Sequence, residues 1–220
     1  MEYQFNDNFL WGAASSGPQS EGTFPGDGKA EMEWDYWFKQ VPEQFFDGVG
    51  PSVTSDFYHK YKEYAKLMKE IGMNSYRTSI QWSRIFKDRE GTVNEEGVTF
   101  YQAVIDEFLS QGIEPVLCLH HFDMPMYWME KGGFENRETA EGFAAFAAKC
   151  FELFGGKVKR WITFNEPIVI AEGGYIYKRH YPAVCDAKKA ALVGYHIQLA
   201  SSMAVREFRK SGREGSIGSY

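Results

Sequence analysis

No stretch of this 220-residue chain approaches the ~20 consecutive apolar residues of a membrane span, and Met1-Glu2-Tyr3-Gln4-Phe5-Asn6-Asp7 lacks a basic start followed by an apolar run. A cytoplasmic protein with no membrane partner is expected. Basic charge is also short: 24 Lys and Arg stand against 30 Asp and Glu, for a net charge of -6 and a pI near 5.5. That balance excludes nucleic acid as a partner, because a phosphate backbone requires a basic face. Cysteine is scarce, and the three present, Cys118, Cys150 and Cys185, are odd in number and widely spaced. Reduced, buried thiols are expected rather than a disulfide framework. A phosphate-cradling glycine loop is missing too, since the first apolar stretch leads into Gly17-Pro18-Gln19-Ser20-Glu21-Gly22, which has the wrong spacing. A small nucleotide-binding protein is therefore the weakest reading.

What is present is a chain 44% hydrophobic and 17% aromatic, enough to bury one substantial core, and residues 1–220 are expected to form a single domain. Core packing accounts for most of the aromatics. Apolar residues at Phe57, Tyr61, Tyr64, Met68 and Ile71 step by four and three, which predicts one face of a helix ended by Gly72. The form returns at Val98, Tyr101, Ile105 and Phe108 before Gly112, and at Phe143, Ala147, Cys150 and Phe154 before Gly155. A further helix is expected from Ala187 to Lys210, near Gly212, and each glycine suits the left-handed turn that follows a helix. Compact apolar stretches at Phe9–Ala14, Met73–Ile80, Ile113–His120, Val158–Phe164 and Ser216–Tyr220 read as buried strands.

Strands alternating with helices predict an α/β fold with a parallel sheet. Both an open doubly wound sheet and a closed (β/α)8 TIM barrel accept that pattern, and the polar residues decide between them. They cluster after each strand: Gln19 and Glu21, Gln81 and Trp82, His121 and Asp123, then Asn165 and Glu166. One rim of a barrel is where such clusters converge. At this spacing eight units need ~400 residues, so the chain supplies four βα units and the start of a fifth strand.

The run Trp161-Ile162-Thr163-Phe164-Asn165-Glu166-Pro167 delivers an amide and a carboxyl side by side at a strand end, with a proline stopping the strand. Glu166 suits a proton donor to a glycosidic oxygen, and Asn165 suits a hydrogen bond to a sugar hydroxyl. Arg77 lies within the second strand, where a buried guanidinium implies a carboxylate nearby. His120 and His121 should face opposite ways along a strand, which argues against a two-histidine metal site.

Four motifs together resemble glycoside hydrolase family 1, the β-glucosidase and 6-phospho-β-glycosidase family. They are Phe9-Leu10-Trp11-Gly12-Ala13-Ala14 running to Gln19-Ser20-Glu21-Gly22; Tyr76-Arg77-Thr78-Ser79-Ile80-Gln81-Trp82-Ser83-Arg84; Leu119-His120-His121-Phe122-Asp123-Met124-Pro125; and Thr163-Phe164-Asn165-Glu166-Pro167. They occur in the family's order and span almost the whole chain. The resemblance implies catalytic roles for Glu166, as acid/base, and for Arg77, which would orient a nucleophilic glutamate arriving at the end of a seventh strand. It implies that Gln19, His121 and Asn165 bind the sugar, with Asn165 at the 2-hydroxyl. No metal and no cofactor is implied, and the partner is a small-molecule β-glycoside.

Pro18, Phe122 and Phe134 depart from the family's usual residues and affect the finer sugar preference. The stretch from Glu33 to Pro51 looks most like members that take sugars phosphorylated at the 6-position. Trp34 and Trp128 fit either a stacking or a core role. Lys178, Arg179 and His180 form a basic patch that reads as a solvated loop. The expected function is a retaining β-glycosidase acting on 6-phospho-β-glucosides or related β-glucosides, with a nucleophile beyond Tyr220, so the 220-residue chain alone should not turn over. The competing expectation is a non-catalytic, truncated half-barrel that either binds sugar weakly or self-associates through its unpaired strand edges into a homo-oligomer.

Overall fold

The computed structural model describes residues 4–219. Within them a five-stranded parallel sheet runs in sequence order: β1 (Gly12–Ala14), β2 (Ser75–Ser79), β3 (Glu114–Cys118), β4 (Arg160–Ile162) and β5 (Ser216–Gly218). Each strand is laid beside the one before it, as right-handed crossovers through helices require. Register follows from the side-chain alternation of strands. Thr78, Leu117, Trp161 and Ile217 are paired across the sheet in one row, and Arg77, Val116 and Arg160 in the next.

The first row faces the helices. There α3 (Phe57–Glu70), α5 (Glu95–Ser110), α7 (Arg137–Phe154) and α9 (Ala187–Lys210) lay their apolar stripes on the strands. Tyr76 meets Phe57 and Phe108, and Trp161 meets Phe151 edge-on at 5.0 Å. Phe108, Phe143, Phe146, Phe151 and Phe164 are completely buried in this layer. At about 1.5–3 kcal/mol per buried large apolar side chain, this interface is the main source of stability. The other face is less covered, and Arg77 and Val116 are only half-buried there, so the strands are not buried on both faces as the apolar runs suggest.

The regular strands are shorter than the apolar stretches, because the chain turns inward at the rim while its hydrogen bonds continue. Ile80 N–H still donates to Cys118 O, Leu119 N–H to Ile162 O, and Thr163 N–H to Gly218 O. Helices α5 and α7 begin earlier than their apolar periodicity, since first turns such as Glu95-Glu96 are acidic and favoured by the helix dipole. Gly72, Gly112 and Gly212 take the left-handed turn, with φ of 83°, 72° and 63°. Gly155 does not: its φ is -65°, and a Cβ there would lie 2.5 Å from the Phe151 carbonyl oxygen, so close approach is what requires glycine.

In the long segment after β1, α2 (Glu33–Gln40) carries Trp34, Trp37 and Phe38 at helical spacing, whereas α8 (Pro167–Tyr175) lacks an amphipathic stripe, and its Pro167 occupies the first turn where its missing N–H costs nothing. Short helical turns α1 (Gly17–Ser20), α4 (Trp82–Ile85) and α6 (Met126–Met129) follow β1, β2 and β3. Cys118 and Cys150 are buried free thiols, whereas Cys185, also free, is exposed. Among the described residues no helix is long and apolar enough to cross a membrane.

Candidate active site

The segments leaving the C-terminal ends of the strands enclose a cavity of about 390 Å³, a size suited to a small ligand. Gln19 enters it from α1. That turn is fixed at its start, where Gly17 N–H donates to Ser79 Oγ at 2.8 Å and a Cβ on Gly17 would strike Gln81 Cγ at 2.4 Å. The buried Ser16 hydroxyl donates to Gln19 Oε1 at 2.9 Å, which leaves the amide NH2 as the outward donor.

His121 and Phe122 reach the same cavity from the end of β3. Asp123 sets them: its carboxyl accepts His121 N–H and Trp82 N–H, both at 2.8 Å, and so ties the end of β3 to the end of β2. Burial raises the Asp123 carboxyl to about 7. Burial, aided by the Arg77 charge, depresses the His121 ring to about 4, so it is neutral at pH 7 and able to both donate and accept. His120 turns the other way into the aromatic core, 5.1 Å from Phe164 and 5.7 Å from Phe134, as strand alternation requires.

Arg77 Nη2 donates to Asn165 Oδ1 at 2.5 Å, joining β2 to the end of β4. The carboxylate expected beside a buried arginine is replaced in this contact by an amide, and the arginine is half-buried. Glu166 follows Asn165 in the left-handed region, with φ 44° and ψ 61°, and is exposed at the rim. Phe122 is also left-handed, with φ 59°. Such a conformation costs a non-glycine residue roughly 1–3 kcal/mol and concentrates where side chains must be aimed. Both turns come immediately after a polar rim residue.

Gln19 and His121 therefore share one cavity, Arg77 and Asn165 form a bonded pair with Arg77 close enough to shift His121, and Glu166 adjoins His180 on the same rim. His180 lines the cavity instead of lying in a solvated basic loop, while Lys178 and Arg179 are exposed. Its ring stacks edge-on against Trp34 at 5.2 Å and Phe122 at 5.0 Å. Burial lowers its pKa, and the charge of Glu166 acts in the opposite direction. Trp34, Phe45 and Pro51 complete an apolar outer wall. Trp128, in contrast, is buried against Trp82 at 5.8 Å and belongs to the core. The inward positions of the wall from 33 to 51 and of His180 were not readable from the sequence, because they depend on α2 and on the packing of His180 over Gly173, where a Cβ would approach the ring within 3.1 Å.

The family model for glycosyl hydrolase family 1 matches residues 1–220. The chain is 49% identical over 217 residues to the 6-phospho-beta-glucosidase GmuD of Bacillus subtilis (strain 168), covering 99% of this chain and 47% of that protein. It is 40% identical to the aryl-phospho-beta-D-glucosidase BglC of the same organism, covering 97% of this chain and 45% of that one. Among solved structures, the beta-glucosidase from Thermotoga maritima in complex with castanospermine superposes with a TM-score of 0.93 at 37% identity, covering 98% of this chain and 49% of that one. The chain spans about half the length of the relatives it matches. Its five strands are the first five of a (β/α)8 barrel of that type.

Proposed function

The chain belongs to glycosyl hydrolase family 1, and from that premise we propose that it carries the sugar-binding and proton-donating half of a retaining β-glycosidase acting on 6-phospho-β-glucosides. The observation that supports this most directly is the convergence at one rim of Gln19 and His121 in a shared cavity, the bonded Arg77–Asn165 pair beside them, and Glu166 next in the chain. Gln19 offers an amide donor and His121 a neutral ring, a pair of groups suited to adjacent sugar hydroxyls. Asn165, its Oδ1 occupied by Arg77, presents its NH2 to the 2-hydroxyl, where a hydrogen bond strengthens as positive charge develops on the ring.

Glu166 delivers its proton to the leaving oxygen and then, as carboxylate, activates the water that releases the sugar. A retaining enzyme needs its second carboxyl about 5–5.5 Å away, as nucleophile. We assign that group to the part of the relatives' length that this chain does not span, and Arg77 to its orientation. The names of the two Bacillus relatives favour a phosphorylated sugar.

Hydrolysis of p-nitrophenyl 6-phospho-β-glucoside and of the unphosphorylated glucoside by the protein that carries this chain is the direct test. Preference for the phosphorylated compound is expected. With Glu166→Ala, kcat should fall at least 100-fold and recover partly with azide, which needs no general base. An unaffected rate in that variant would remove Glu166 from the chemistry.

A further inference from the structure

Behind the cavity wall lies a second polar cluster that the proposed chemistry does not use. Glu33 opens α2 and is buried, although an acid in the first turn of a helix is ordinarily at the surface. The backbone holds it there. Glu33 N–H donates to Met124 O and Met126 N–H to Glu31 O, both at 2.9 Å, around an antiparallel bridge between Met32 and Pro125. The side chain is thereby pressed towards the end of β3, where it lines a void of about 10 Å³ with His120, Phe134, Ile170, Tyr175 and Tyr181.

His120 is 1% exposed, and neither ring nitrogen has a hydrogen-bond partner among the described residues. Leaving buried polar atoms unpaired costs about 1–3 kcal/mol each. A void of that size is about one water, and a buried water needs two to four polar partners. Glu33, His120 and Tyr181, which all line the void, are able to offer a carboxyl, a ring nitrogen and a hydroxyl.

We propose that one buried water bridges Glu33 and His120, with the Tyr181 hydroxyl as third partner, and that this hydrated joint fixes α2 against the end of β3. The donors and acceptors match. Burial lowers the His120 ring to about 3, so it is neutral with one N–H and one acceptor nitrogen. Burial, with the neighbouring Asp123, raises Glu33 to about 8, so it is a neutral acid with one O–H. The groups that face Glu33 are Asp123 from the turn after β3, His120 from the end of β3, Tyr175 from α8 and Tyr181 from the segment after α8, with Tyr36 of its own helix against Tyr181. Farther out, Glu130 acts on Tyr181, and Glu135, paired with Lys189, acts on Tyr175. Because Trp34 follows Glu33 directly and His121 follows His120, the joint positions two walls of the cavity at once. Glu33 is in this sense a positioning residue.

Water–protein NOE spectra of the isotope-labelled full chain at pH 6.5 test the proposal. A cross-peak from a long-lived water to the His120 ring protons is expected, and its absence in the native chain would overturn the proposal whatever the variants do. In urea, Glu33→Leu and His120→Phe should each lower the folded-to-unfolded ratio at least tenfold, while the double variant, with neither polar group left stranded, should recover at least fivefold relative to the product of the two losses. Losses that simply multiply would refute the bridge.

Discussion

Two buried acidic clusters flank the cavity and settle their charges in opposite ways. On the side of Gln19, Glu21 accepts from Arg84 Nε at 2.9 Å, from Gln81 Nε2 at 2.6 Å and from the Tyr101 hydroxyl at 2.8 Å, and Asp27 accepts from Arg84 Nη1 at 2.9 Å. Arg84 is wholly buried, donates also to Gly22 O, and lies 4.7 Å from the Tyr58 ring centroid. Burial would raise Asp27, but the backbone N–H groups of Phe24 and Lys29 and the Arg84 guanidinium pull it below the ordinary carboxylate value. On the side of Trp34, Glu33 and Asp123 have no guanidinium among the groups that shift them, and burial raises both. One residue class is thus held ionised in one place and pushed towards its neutral form in the other. The backbone N–H groups at Asp27 and the arginine together offset burial, which alone always favours the neutral acid.

The largest test removes that arginine. Arg84→Met leaves Glu21 and Asp27 buried without their cation and should cost about 3–5 kcal/mol in urea denaturation, enough to unfold a marginal chain. A loss below about 1 kcal/mol would mean that the two clusters do not differ as described.

The next test uses pH. Glu33 binds its proton more tightly folded than unfolded, so the stability it contributes is complete below its ordinary value of 4.5 and is lost as pH rises towards about 8. Asp123 adds the same trend from 3.8 to about 7. Asp27 works oppositely, and its contribution disappears only as pH falls below 3.8. His120 and His121, lowered from 6.5 to about 3 and about 4, offset that trend below pH 6.5, so stability should decline from there to pH 8 by up to about 1.4 kcal/mol per unit per group. Glu33→Gln should flatten that decline and leave the acid limb unchanged.

A smaller effect is expected in thiol labelling. Cys118 is buried and donates to His120 O at 3.2 Å, so its reaction with a thiol reagent reports opening next to Glu33. At pH 9, where Glu33 is ionised, Cys118 in the native chain should react severalfold faster than in Glu33→Gln, with exposed Cys185 as the internal control. Equal rates would confine the effect of ionisation to global stability.

The fold was legible because its signals are local. Apolar spacing at Phe57 to Ile71 and the compact strand at Val158 to Phe164 are set by a helix or strand lying on one core, and both features form where expected, with the strand trimmed at its ends. The rim polar groups Gln19, His121, Asn165 and Glu166 were legible for a similar reason: each lies a short way past the C-terminal end of a strand. What was hidden depends on tertiary placement. His180 is distant from any strand end and reaches the cavity through α8 and Gly173, while Trp34 does so through a helix that begins with a buried acid. The protonation of Glu33 is hidden more deeply still, because it depends on the absence of a cation among side chains brought together from α2, β3 and α8.

Asp123 grips one amide from each of two adjoining strand ends, so His121 and Trp82 are tied to a single carboxyl. A substitution that shifts His121 must drag Trp82 with it, and through Trp82 the stacked Phe146 5.5 Å away. Phe45, Val49 and Pro51, by contrast, line the same cavity from outside every strand.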